Sequence, residues 1–164
     1  MTQTRFRNFT LRVYLNQLAR REPVPGGGSA AALASALGVG LISMVANYSI
    51  SKKKSPAENR RARDILQASE EIRGRLLELT EQDARAYLNV VRSWKKDARA
   101  QRAATLQARA VPSEVCRLSA RAVDLTPWLV RNGNKHLLSD IEVALELLQA
   151  GFSSAEVMIK TNSL

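Results

Sequence analysis

The sequence predicts an all-α protein: a single helical bundle of about five main helices around a central small-residue-rich helix, one domain over residues 1–164. Three observations predict it. Apolar residues recur at spacings of three and four, and no alternating strand pattern competes with them. Ala, Leu, Arg and Glu dominate, all helix formers, while 8 Gly and 5 Pro are few for a many-turned β fold. Residues 23–51 carry no charged side chain, which marks one segment for the centre of the bundle.

The first helix is expected over Phe6–Arg20, closed by the Pro23–Gly28 run. The second runs from Ser29 to about Lys54. Its length would span a bilayer, but 11 of residues 30–50 are Ala, Gly or Ser. The other segments are amphipathic and need a shared core, so no membrane span is expected. Leu33, Leu37, Leu41 and Met44 form one stripe of this helix. Ala32, Ala36 and Gly40 form another, thin enough for a second backbone to approach closely. That strip is longer than one small bundle can cover, and a homodimer is expected around it.

Ser55-Pro56-Ala57-Glu58 starts the third helix, with Ser as N-cap, Pro in the first turn and Glu closing a capping box. It extends to about Trp94 with a stripe of Ile72, Leu76, Leu79, Asp83, Ala86 and Val90. The fourth, about Ala98–Leu129, is expected to break at Pro112. The fifth begins at a second capping box, Ser139-Asp140-Ile141-Glu142, stapled by Leu138 and Val143, and runs to about Lys160.

Composition narrows the function. The chain carries 25 Lys and Arg against 15 Asp and Glu, a net charge of +10, which favours an anionic partner. One cysteine, Cys116, excludes an internal disulfide framework and points to a reducing compartment. The N-terminus lacks the apolar stretch of a signal peptide, so a cytoplasmic location is expected. One histidine, His136, is too few for a His-rich metal site.

Two places could carry chemistry. Gly26, Gly27, Gly28 and Ser29 present bare amides at a helix N-terminus, suited to a carboxylate, phosphate or carbonyl oxygen, or else form a plain chain reversal. Asp83 lies on an apolar helical stripe, where an ionised carboxylate rarely sits unpaired. Burial there would raise its pKa toward proton-transfer use, unless it belongs to a structural ion pair. Lys53 and Lys54 could hold an anionic tail, or simply complement the end of the second helix. Asn134 and Asp140 have turn and helix-dipole explanations of equal weight.

Taken in order, Pro23-Val24-Pro25-Gly26-Gly27-Gly28-Ser29-Ala30-Ala31-Ala32-Leu33, Lys52-Lys53-Lys54, Asp83-Ala84-Arg85-Ala86-Tyr87, Val111-Pro112, Gly133-Asn134, Ser139-Asp140 and Asn162 resemble the cyclodeaminase/cyclohydrolase family. The resemblance covers nearly the whole chain. It implies an all-helical homodimer that binds a tetrahydrofolate derivative as substrate, with no metal or redox cofactor. The reactions implied are hydrolysis of 5,10-methenyltetrahydrofolate to 10-formyltetrahydrofolate and cyclisation of 5-formiminotetrahydrofolate with loss of ammonia. Asp83 takes the catalytic position. Gly26, Gly27, Gly28, Ser29, Lys53, Lys54, Asn134, Asp140 and Asn162 take the substrate-binding ones. The chain departs from the family pattern at Asn16 and Gln82, where relatives often carry acids, and at Met158, where they carry Asn. The competing class is a non-catalytic helical protein for an anionic partner, nucleic acid included. Against nucleic acid stand the lack of a helix-turn-helix or zinc-finger pattern and of aromatic residues among the basic ones.

Overall fold

A computed structural model describes residues 6–161. Within them six α-helices and two short 3-10 turns follow one another, and no strand forms. After a turn at Phe6–Asn8, Thr10 caps α1 (Leu11–Leu18) by accepting the Val13 amide at 3.3 Å. The first segment therefore starts its helix five residues later than expected. The central α2 spans Gly27–Tyr48, beginning two residues early and ending six short of Lys54. Ser49 closes it. Asn59 then ties down Ser51–Lys54 as a turn, donating to Ser51 O at 2.8 Å and Lys54 O at 3.2 Å.

Helix α3 (Pro56–Ser93) has the capping box that its sequence announces: the Ser55 side chain accepts the Glu58 amide, and Glu58 accepts the Ser55 amide. Helix α4 (Ala98–Val123) continues through Pro112 instead of breaking there. Pro112 is fully buried, so packing offsets the missing backbone hydrogen bond. The break comes later, at Asp124–Leu125. Pro127 then sits in the first turn of a separate α5 (Thr126–Asn132). Helix α6 (Leu138–Thr161) already includes Ser139, so the second capping box does not form. The capping side chain is Asn134, which accepts the His136 amide at the start of the turn Lys135–Leu137. Val143, expected in the staple, is 52% exposed.

Small residues explain the layout. Helices α3 and α6 lie along α2, and α4 touches it from behind. A Cβ on Gly38 would stand 2.8 Å from Ala144 O, and one on Gly151 would stand 3.0 Å from Ala31 O. The two glycines thus let α2 and α6 meet backbone to backbone. Ser35 bonds Ser119 of α4 at 2.8 Å and Ser43 bonds Ser69 of α3 at 2.8 Å, so the buried hydroxyls of this uncharged helix are satisfied by its neighbours. Val39, Ile42, Ile72, Leu76, Leu79 and Leu148 fill the core around them. Helix α2 is long and apolar enough to cross a membrane by composition, and it is mostly buried in the bundle.

The expected roles of its two stripes are reversed. Ala32 and Ala36 are buried inside the chain's own bundle, whereas Leu37 is 52% and Tyr48 65% exposed. The strip left uncovered is the large-residue one.

Candidate active site

Because the 49–55 turn reverses the chain, α3 runs back along α2 and carries Asp83 to the point where α2 begins. Gly26, the N-cap of α2, offers no side chain to its first turn. Asp83 supplies one from 54 residues further along: its Oδ2 accepts the Ser29 amide at 3.0 Å. A Cβ on Gly28 would overlap Asp83 Oδ1 and stand 2.6 Å from its Cγ. Glycine is needed at 28 so that the carboxylate can reach the helix. The amides expected to meet a ligand's oxygen are therefore in part already engaged by the protein's own acid. Tyr14 reaches the same turn from α1, its hydroxyl 2.9 Å from Ser29 Oγ, with both side chains buried.

Asp83 makes no ion pair among the described residues, which removes the structural ion-pair explanation. Its Oδ1 lies against Gly28 and has no hydrogen-bonding partner among the described residues. The side chain borders a pocket of about 100 Å³ walled by Val24, Ala86, Tyr87, Val90, Ala108 and Met158. Asp83 is the one charged group in that lining. Burial among apolar walls pushes its pKa up, and the Ser29 amide pulls the other way. One oxygen is thus fixed by a helix N-terminus, the other lies against Gly28 without a hydrogen-bonding partner among the described residues, and the side chain borders an apolar slot, an arrangement suited to taking and returning a proton.

The predicted residues divide into two groups. Gly26, Gly27, Gly28, Ser29 and Asp83 come together at one end of α2. Lys53, Lys54 and Asn134 lie at the other, roughly 30 Å away along the helix. There Lys54 Nζ donates to Asn132 O and lies 5.6 Å over the Trp128 ring, and the Asn134 amide donates to Ser49 Oγ at 3.1 Å. Lys53 is exposed, and half-buried Asp140 sits in the first turn of α6. These residues do not meet Asp83 within one chain. Asn162 lies outside the described residues. Basic groups are spread over both ends: exposed Arg20, Arg21 and Lys160 toward the Asp83 end, and Arg60, Arg61 and Arg63 toward the other. Charge placement alone therefore does not separate a folate ligand from nucleic acid.

Of the three departures, one touches the pocket. Met158 lines it and lies beside Gly27. Asn16 is exposed, and Gln82 accepts a hydrogen bond from Arg75 at 3.2 Å in the groove facing α4. Tyr14, Val24 and Tyr87 were not assigned to the site from sequence. Yet Val24 and Tyr87 stand in the motifs that carry the family resemblance, and Tyr87 follows Asp83 by one helical turn.

The model of the formiminotransferase-cyclodeaminase family matches residues 10–164. A methenyltetrahydrofolate cyclohydrolase of Methylorubrum extorquens is 33% identical over 166 residues, covering 95% of this chain and 80% of that protein. A formimidoyltransferase-cyclodeaminase of Mus musculus is 28% identical over 163 residues, and there the chain spans 30% of the relative's length. The crystal structure of formiminotetrahydrofolate cyclodeaminase from Thermotoga maritima aligns with a TM-score of 0.91 at 29% identity, over 95% of this chain and 79% of that one. With the family model matched over residues 10–164 and the fold shared with a solved cyclodeaminase, the chain belongs to the formiminotransferase-cyclodeaminase family.

Proposed function

We propose that this protein is a folate-dependent one-carbon enzyme that hydrolyses 5,10-methenyltetrahydrofolate to 10-formyltetrahydrofolate, with Asp83 handling the proton. The observation that carries the reading is the Asp83 carboxylate, held by the Ser29 amide through one oxygen and bordering an apolar pocket. The identity to a methenyltetrahydrofolate cyclohydrolase over most of both chains supports it.

The substrate is a delocalised cation centred on the carbon between N5 and N10. A carboxylate beside that carbon stabilises it in a site with few other charges. Water adds to the carbon, the C=N electron pair moves to nitrogen, and the water proton passes to Asp83 Oδ1. As the neutral adduct collapses, the bond from carbon to N5 breaks. Asp83 returns its proton to N5, and the hydroxyl proton leaves to solvent as the formyl group forms. The sum is one water consumed and one proton released. In the cyclodeaminase reaction the same acid would protonate the departing ammonia. Met158, where relatives carry Asn, makes the pocket wall less polar on the α6 side.

Asp83→Asn keeps the shape and can still accept the Ser29 amide. The rate of methenyl absorbance loss, corrected for spontaneous hydrolysis, should fall by about 10²–10⁴. The melting temperature should hold or rise, because a carboxylate whose pKa burial has raised works against folding once ionised. For the same reason the wild-type protein should lose stability relative to Asp83→Asn as pH rises through the folded pKa, above the ordinary carboxylate value. Wild-type turnover no faster than background would overturn the enzyme reading in favour of a binding protein.

A homodimer forms through the uncovered strip of α2, where Leu37 and Tyr48 are exposed and Leu33, Leu41 and Met44 half-buried. Sedimentation should give twice the 18.1 kDa chain mass, and Leu37→Glu should shift it to the monomer. A monomer in the wild type at micromolar concentration would exclude it.

A further inference from the structure

We propose that Tyr14 is a positioning residue for Asp83, acting through Ser29; the inference rests on the reading of Asp83 as the proton-handling group. Tyr14 is the one fully buried residue of α1, at 5% exposure, with Leu18 half-buried beside it and most of the helix exposed. Its ring packs edge-on against Phe6 at 6.0 Å, and its hydroxyl is spent on one contact, the 2.9 Å bond to Ser29 Oγ. Ser29 is fully buried and presents two groups to two partners: its hydroxyl to Tyr14 and its amide to Asp83 Oδ2. A backbone N–H does not pass a proton onward, so the chain Tyr14–Ser29–Asp83 is not a proton wire. It fixes the first turn of α2, and with it the carboxylate oxygen that the turn holds beside the pocket.

Among the described residues, no other side chain bonds the Ser29 hydroxyl or the Asp83 carboxylate. The titratable groups near the carboxylate are Tyr14 from α1 and Tyr87 from α3, while α4 and α6 present Ala108 and Met158. Glu81, the other buried acid of this turn of α3, is turned to Arg7 at 3.5 Å and Arg85 at 3.3 Å.

The test compares wild type with Tyr14→Phe and Ser29→Ala, each of which removes the hydroxyl bond and keeps the packing. Two readouts are taken: kcat and KM for 5,10-methenyltetrahydrofolate, and the pH titration of the Asp83 carboxyl carbon by 13C NMR. Removing the Tyr14 hydroxyl should lower kcat about 10-fold with KM unchanged, as expected for a misplaced catalytic group. The Asp83 titration midpoint should move up, since a loosened amide bond stabilises the carboxylate less. Ser29→Ala should give the same two changes. A midpoint and kcat unchanged in both variants would overturn the proposal, leaving Tyr14 as packing alone. Should the wild type not hydrolyse the substrate, the cyclohydrolase reading falls, and the NMR midpoint still decides whether Tyr14 positions Asp83.

Discussion

The two ends of α2 offer the same kinds of group and use them oppositely. At its C-terminal end the candidates Lys54 and Asn134 are engaged by the protein itself, and Lys53 is exposed. Ser49 donates to Val45 O at 2.7 Å and accepts the Asn134 amide, Lys54 is spent on Asn132 O and the Trp128 face, and Asn59 stitches the turn between them. At its N-terminal end a half-buried carboxylate has no counter-charge among the described residues, and one of its oxygens has no hydrogen-bonding partner among them. Internal satisfaction is the mark of a structural junction. An acid brought out of water and left half-satisfied costs stability, and a site of that kind persists where the chemistry requires it.

Substitutions that disturb one end without the other sharpen this contrast. The largest effect is expected at Gly28, where Gly28→Ala forces the Asp83 carboxylate off the helix terminus. Turnover should fall about 100-fold or more, with a stability loss of about 1–3 kcal/mol from overpacking. Gly27→Ala is the matched control. Its Cβ meets only the flexible Met158 sulfur, at 3.3 Å, so both activity and melting temperature should stay near wild type. Equal loss from both glycines would mean that the run is a turn and nothing more. A smaller change, of the opposite kind, is expected from Ser49→Ala. It leaves the Asn134 amide without an acceptor and should cost about 1–3 kcal/mol of stability. Activity per folded molecule should not change, with the pocket roughly 30 Å distant. Lost activity in a fully folded Ser49→Ala protein would break the separation of the two ends.

Local signals were legible in the sequence and long-range ones were not. The Ser55 capping box is complete within four residues, and it forms. Asp83 could be singled out because its helical stripe places it on the core side whatever it packs against. The start of α5 was also written locally, in Thr126-Pro127, but the expected break at Pro112 drew attention away from it. For Lys54 and Asn134 the sequence left binding and structural roles side by side, because their partners, Asn132 and Ser49, are far away in sequence. The role of Gly28 was misassigned for the same reason: the sequence shows an open amide, and only the fold shows that Asp83 fills the space. No sequence signal connects Tyr14 to Ser29, since the contact depends on how α1 docks.

The cap of α2 also bears on how the chain folds. A helix normally begins on a side chain next to it, as α3 does on Ser55 and α4 on Asp97. Helix α2 begins on Gly26, which contributes nothing, and waits for an acid 54 residues away. Until α3 is docked its first turn lacks the cap that Asp83 supplies, so the active-site end is expected to be secured later than the local turns of the opposite end. In native-state hydrogen exchange the Ser29 amide should therefore report the opening of the α2–α3 contact, whereas the Glu58 amide, capped within its own turn, reports only local fraying.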